Sequence, residues 1–310
     1  MIKFLKYNDG ALPLFSVIIL LLYSLVNVLV SGLPHYQEIF QSDHENYVGW
    51  LLWASQIVLV FSVLFLANRV FQQFALLNRI SNLPLFLGVV TYCATPTSVN
   101  HPFVWLAIGL MLWYLSSVYS SMMGERPKQN AFWSGFALGS AAWFFSPVLF
   151  FAPLFFQSGF SSGMLNLRRL IIHVIGFILP TYLVITFDYL IYDEVMWPTW
   201  LHNRWAVFTL SDSNFWTLAF MILTHVMLIM AATTSLKSST IREKRRFFLL
   251  VTMSLLALVA GIFNNASVWL VLTIIPSSAV FSRLFLQMEK RWVQETIFSI
   301  YVLLIIGLNL

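Results

Sequence analysis

Eleven apolar runs, near residues 11–33, 49–67, 83–95, 102–122, 131–146, 147–158, 170–192, 213–236, 247–262, 266–286 and 293–310, alternate with short polar stretches. About 20 apolar residues are needed to cross a bilayer as a helix, so most of these runs predict membrane helices. The runs at 83–95 and across 131–158 are the short ones. Pro147 and Pro153 either break the second of these into two short helices or kink a single one. The pattern thus predicts an all-α polytopic transmembrane bundle of about eleven membrane segments, between nine and eleven, forming a single integral membrane domain over residues 1–310.

Composition removes the soluble alternative. The chain is 59% hydrophobic and 9% charged, whereas a soluble domain carries roughly 25% charged residues. The bilayer itself is therefore the first partner. The net charge of +5 does not indicate nucleic acid. The basic residues lie in small clusters between apolar runs, as topology signals do. Placed on eleven segments, sixteen of the seventeen Lys and Arg fall on one side, from Lys3 and Lys6 through Arg126, Arg168 and Arg245 to Arg291. The positive-inside rule makes that side cytoplasmic and puts the N-terminus there. The first run is too long for the core of a cleaved signal, so it is expected to be retained. The lone Cys93 carries no disulfide, and no Cys/His spacing resembles a zinc site.

The opposite face concentrates the candidate chemistry. Its first loop holds Glu38, Asp43, His44 and Glu45 with no Lys or Arg, and its largest loop holds His202, Arg204 and three tryptophans. Asp43 and Glu45 are spaced to face one way in an extended segment. Such a pair is suited to a divalent cation or to general-base work, while solvation in a loop is the commoner fate of such acids. Asp188 lies roughly 28 Å along its helix from Arg169, near the external interface. Arg204 offers a planar fork for phosphate oxygens, or a salt bridge to Asp193, Glu194 or Asp212. His101 sits in a short external turn, and His225 lies midway along its helix, where a hydrogen bond to a neighbouring helix accounts for it.

Two resemblances follow. The stretch Ala131-Phe-Trp-Ser-Gly-Phe-Ala-Leu-Gly-Ser-Ala-Ala-Trp-Phe-Phe-Ser-Pro-Val-Leu-Phe-Phe-Ala-Pro153, after the basic loop Glu125-Arg-Pro-Lys128, together with Asn78-Arg-Ile-Ser-Asn-Leu-Pro84, resembles a family of polytopic inner-membrane proteins from Bacteroidetes. That likeness implies a bacterial inner (cytoplasmic) membrane and no activity. The same segment, through Gly135, Gly139, Ala141 and Pro147, is similar to a helix pair of the GT-C glycosyltransferase superfamily. This second resemblance implies transfer of a sugar from a polyprenyl-phosphate donor at the external face. By position, Asp43 and Glu45 would be catalytic, with Glu38, His44, His101, Asp188, His202 and Arg204 binding substrate. The chain departs from that pattern in its short first loop, in Phe144-Phe-Ser-Pro147 where a basic residue often precedes the proline, and in having no soluble C-terminal domain.

Two other functions compete with transfer. A non-catalytic subunit of an envelope assembly would show exposed helical faces for its protein partners. A lipid or solute transporter would show internal repeats and mid-depth polarity, and the sequence shows no repeat.

Overall fold

The structure, a computed structural model, describes residues 9–31, 45–77, 80–95, 101–163, 166–193, 215–238, 240–264, 266–288 and 290–308. Each of the eleven apolar runs carries an α-helix: α1 (Leu12–Ser31), α2 (Glu45–Gln73), α3 (Leu83–Tyr92), α4 (Pro102–Met122), α5 (Pro127–Phe144), α6 (Pro153–Ser162), α7 (Leu167–Tyr192), α8 (Phe215–Ser238), α9 (Ile241–Phe263), α10 (Ala266–Gln287) and α11 (Arg291–Leu308). No strand occurs among the described residues. Five helices, α2, α4, α7, α9 and α10, are long and apolar enough to cross a membrane among the described residues. Shorter apolar helical stretches cover Leu12–Val26, Leu83–Tyr92, Ala219–Thr233 and Trp292–Leu308.

The chain divides into two compact units. One comprises Met1–Trp105, Ser213–Ala231 and Ser277–Leu310; the other comprises Leu106–Asp212 and Ala232–Pro276. The division cuts α10 at Pro276, a residue that interrupts the hydrogen-bond ladder of its own helix.

In the first unit the short helix α3 is the core. It packs against α1, α2 and α11, and every residue except Val90 is buried. Ten residues rise about 15 Å, half the roughly 30 Å of a hydrocarbon core. The short 83–95 run is thus a buried core helix of half a membrane's length. The helix α2 that covers it ends in a Schellman motif: Leu76 N–H donates to Phe71 O at 2.9 Å and Ala75 N–H to Gln72 O at 3.1 Å. The motif needs a left-handed residue, and Ala75 supplies it at φ 49°.

In the second unit, Pro147 and Pro153 break the chain rather than kink it. Helix α5 stops at Phe144, a 3-10 segment covers Ser146–Phe151, and α6 begins at Pro153. Its neighbour α7 starts from an Asn166 cap, whose side chain accepts Arg169 N–H at 2.9 Å. Helices α5 and α7 run parallel, because their contacts climb in step. Ala131 meets His173, Gly139 meets Phe177, and Trp143 meets Thr181.

Parallel neighbours require the chain between them to return. The 18 residues of α5 rise about 27 Å. The six-residue 3-10 segment rises about 12 Å and the ten-residue α6 about 15 Å, which together match it. Helix α9 packs against both returning pieces. The 131–158 region is therefore two segments, one rising and one returning in two pieces.

Candidate functional site

The tightest packing in the second unit is α5 on α7, and small residues make it possible. A Cβ on Gly135 would strike His173 O, one on Gly139 would strike Phe177 O, and one on Gly176 would strike Phe132 O. Three glycines from the two facing helices thus bring backbone against backbone. At this seam Ser134 Oγ lies 2.9 Å from His173 Nδ1 and donates to Ala131 O at 2.9 Å. His173 Nδ1 also lies 3.2 Å from Ala131 O, and its ring stacks on Phe155 at 3.9 Å between centroids.

A serine beside a histidine is where nucleophilic catalysis begins. Here, however, Ser134 is fully buried, its proton is directed to its own helix, and the same imidazole nitrogen faces a backbone carbonyl. The pair works as a polar clasp between α5 and α7. Further clasps surround it. Trp143 Nε1 donates to Thr181 Oγ1 at 3.2 Å, Gln157 Nε2 to Thr252 Oγ1 at 2.8 Å, and Tyr114 OH to Phe151 O at 2.9 Å.

The first unit has its own polar interior. Arg283, 1% exposed, donates from Nη1 to Leu76 O at 2.9 Å and so holds the end of the α2 cap. Asn68 Nδ2 donates to Asn82 Oδ1 at 2.9 Å, and Gln72 Nε2 to Ser81 O at 3.1 Å. Near the other end of α3, Gln56 Nε2 donates to Tyr92 OH at 3.3 Å, and the hydroxyls of Thr91 and Tyr301 are hydrogen-bonded. Tyr92 is flanked edge-on by Tyr23 and Trp105. These contacts consume polar groups in joining helices, the commonest reason for polarity inside a membrane protein.

The expected site residues fare unevenly. Glu38, Asp43, His44, His202 and Arg204 lie outside the described residues. Glu45 opens α2 as a helical residue rather than an extended one, with its side chain outside what is described. His101 belongs to the first unit and sits just before α4. Its Nδ1 accepts Phe103 N–H at 3.3 Å, its ring stacks on Phe103 at 5.0 Å, and burial pulls its pKa below the ordinary histidine value. His225 Nδ1 lies 2.8 Å from Met221 O of its own helix.

Asp188 belongs to the second unit and lies in the last turns of α7, beyond the Trp143–Thr181 contact. It is half-buried, and its Oδ2 is shielded with no hydrogen-bond donor in reach among the described residues. Among the described residues no three of His, Cys, Asp and Glu gather as metal ligands would.

Sequence reasoning missed His173, Gly176 and the burial of Arg283. His173 and Gly176 stand three apart on α7, hence on one helical face, and that face complements the Gly135-x-x-x-Gly139 spacing that was noticed. No protein-family model, curated protein or solved structure matches this chain.

Proposed function

We propose that the chain is a polytopic protein of the bacterial inner membrane, with its N-terminus in the cytoplasm, about eleven segments crossing or entering the bilayer, and its working face outside. The parallel pairing of α5 and α7 supports this reading. It sets the basic residues at the start of α5, Arg126 and Lys128, on the same side as Arg168 and Arg169 of α7, as the positive-inside rule requires of a cytoplasmic edge.

At the external face the proposed chemistry is transfer of a sugar from a polyprenyl-phosphate donor. Asp43 and Glu45 would serve as base or hold a divalent cation, and Arg204 would meet the phosphate. The single observation favouring a site there is Asp188, a carboxylate raised past the end of α5 with an oxygen that no donor among the described residues serves. The second reading is a non-catalytic subunit of an envelope assembly. It is favoured by the apolar face of α7, where Ile171, Ile175, Ile178 and Tyr182 are exposed in one stripe.

The test uses full-length protein in lipid nanodiscs with a radiolabelled polyprenyl-phosphoryl sugar. The transfer reading expects donor consumption that is abolished by Asp43→Asn and by Arg204→Ala, at unchanged thermal stability. A doubly substituted Asp43→Asn, Glu45→Gln protein that consumes donor at the wild-type rate defeats the catalytic assignment. No consumption by the wild type leaves the subunit reading.

A further inference from the structure

Of the five candidate spans among the described residues, α7 is the least buried. Its 26 residues measure about 39 Å. This exceeds a hydrocarbon core of roughly 30 Å, so one end at least reaches headgroup depth, where a charged end costs least. One side of α7 packs on α5 through His173, Gly176, Phe177 and Thr181. The other side is an apolar stripe of Ile171, Val174, Ile175, Ile178 and Tyr182, between 45% and 62% exposed.

Arg168 is exposed one turn before Ile171. The spacing 168, 171, 175, 178, 182 puts it on the stripe's side of the helix, away from α5. Its surroundings are basic. From Arg126 to Tyr192 the chain holds four basic residues, all where α5 and α7 start, and one acid, Asp188, near the opposite end of α7. Glu125 alone offsets them in the adjoining sequence. We infer that this foot of α7 holds an anionic glycerophospholipid, with its phosphodiester on Arg168 and an acyl chain along the stripe.

Two features select this occupant. A guanidinium fork matches two phosphodiester oxygens. The phosphate of phosphatidylcholine is balanced by its own choline, whereas phosphatidylglycerol brings the net negative charge that a basic foot attracts. The stripe also favours an acyl chain over a second helix. Membrane helices pair through small residues, and α7 turns Gly176 to α5 while the stripe holds bulky Ile, Val and Tyr. The inference is independent of sugar transfer and is read without turnover.

The experiment is native mass spectrometry of the full chain released from nanodiscs of equal phosphatidylglycerol and phosphatidylcholine. The wild type should retain phosphatidylglycerol about fivefold over phosphatidylcholine, the factor one basic residue contributes near an anionic surface. Arg168→Gln should bring the ratio close to parity at an unchanged thermal midpoint, since the side chain is exposed. Arg168→Lys keeps the charge without the fork and should lower the ratio less.

Parity in the wild type overturns the proposal, as does a preference undiminished in both Arg168 variants. Displacement of the lipid by soluble glycerophosphoglycerol would mean a headgroup site without the stripe, and also overturns it. So would a dimer that excludes bound lipid, which would give the stripe to a second copy of the chain.

Discussion

Gly135, Gly139 and Gly176 act through what they lack. Any side chain at these positions meets a backbone carbonyl of the facing helix, and backbone cannot rotate away. Gly139→Leu should therefore separate α5 from α7 and cost about 3 kcal/mol, the upper range for overpacking. Reversible unfolding in mixed micelles would register it, and an unchanged midpoint would contradict the close approach.

The His173 clasp is a smaller term. His173→Phe keeps a ring on Phe155 but loses the Ser134 contact. The expected cost is about 1 kcal/mol, the scale of interhelical hydrogen bonds in bilayers. The opposite sign is expected at Ala75, which holds a left-handed conformation with a Cβ. Ala75→Gly should stabilise by about 1 kcal/mol, because glycine adopts that region without penalty. A loss of stability there would mean that the cap is not formed as described.

At the scale of elements, the apolar runs located the eleven α-helices of the described residues because a helix that avoids water needs only an unbroken apolar stretch, which is visible in sequence. What the runs did not reveal was their use. Residues 268–285 of α10 are buried throughout, while α7 is exposed along most of its length. Both read as predominantly apolar runs, since lipid and protein interior select the same side chains. The break at Pro147 was legible as one of two alternatives, and the 3-10 segment chose between them.

Helix ends were legible only in part. The Thr240–Glu243 capping box that opens α9 has a sequence signature, with Thr240 N–H donating to Glu243 Oε2 at 3.1 Å. The Asn166 cap of α7 has none beyond the residue type. Asn166→Ala should cost about 1 kcal/mol, measured by the same unfolding assay.

At the scale of the molecule, charge and hydropathy together imply an orientation, whereas the candidate site stays a matter of proposal. Basic residues were read as edge markers, and Arg168 behaves as one, exposed at the start of α7. Arg283 does not, because its guanidinium is buried and spent on Leu76 O. Counting charges cannot separate a solvated arginine from one that pins a cap. The site residues were legible as a set of acids, imidazoles and one arginine on a single face. Whether they converge depends on loop conformation, which no periodicity encodes.

The central claim is that α5 and α7 both rise from the cytoplasm with a return between them. Single cysteines at Gln129, Leu167 and Asp193, all exposed positions, test it directly in a Cys93→Ser background. In intact spheroplasts an impermeant maleimide should label only Asp193→Cys, and permeabilisation should add Gln129→Cys and Leu167→Cys together. Labelling of Gln129→Cys and Leu167→Cys from opposite sides would contradict the parallel pair, and labelling of both from outside would invert the orientation.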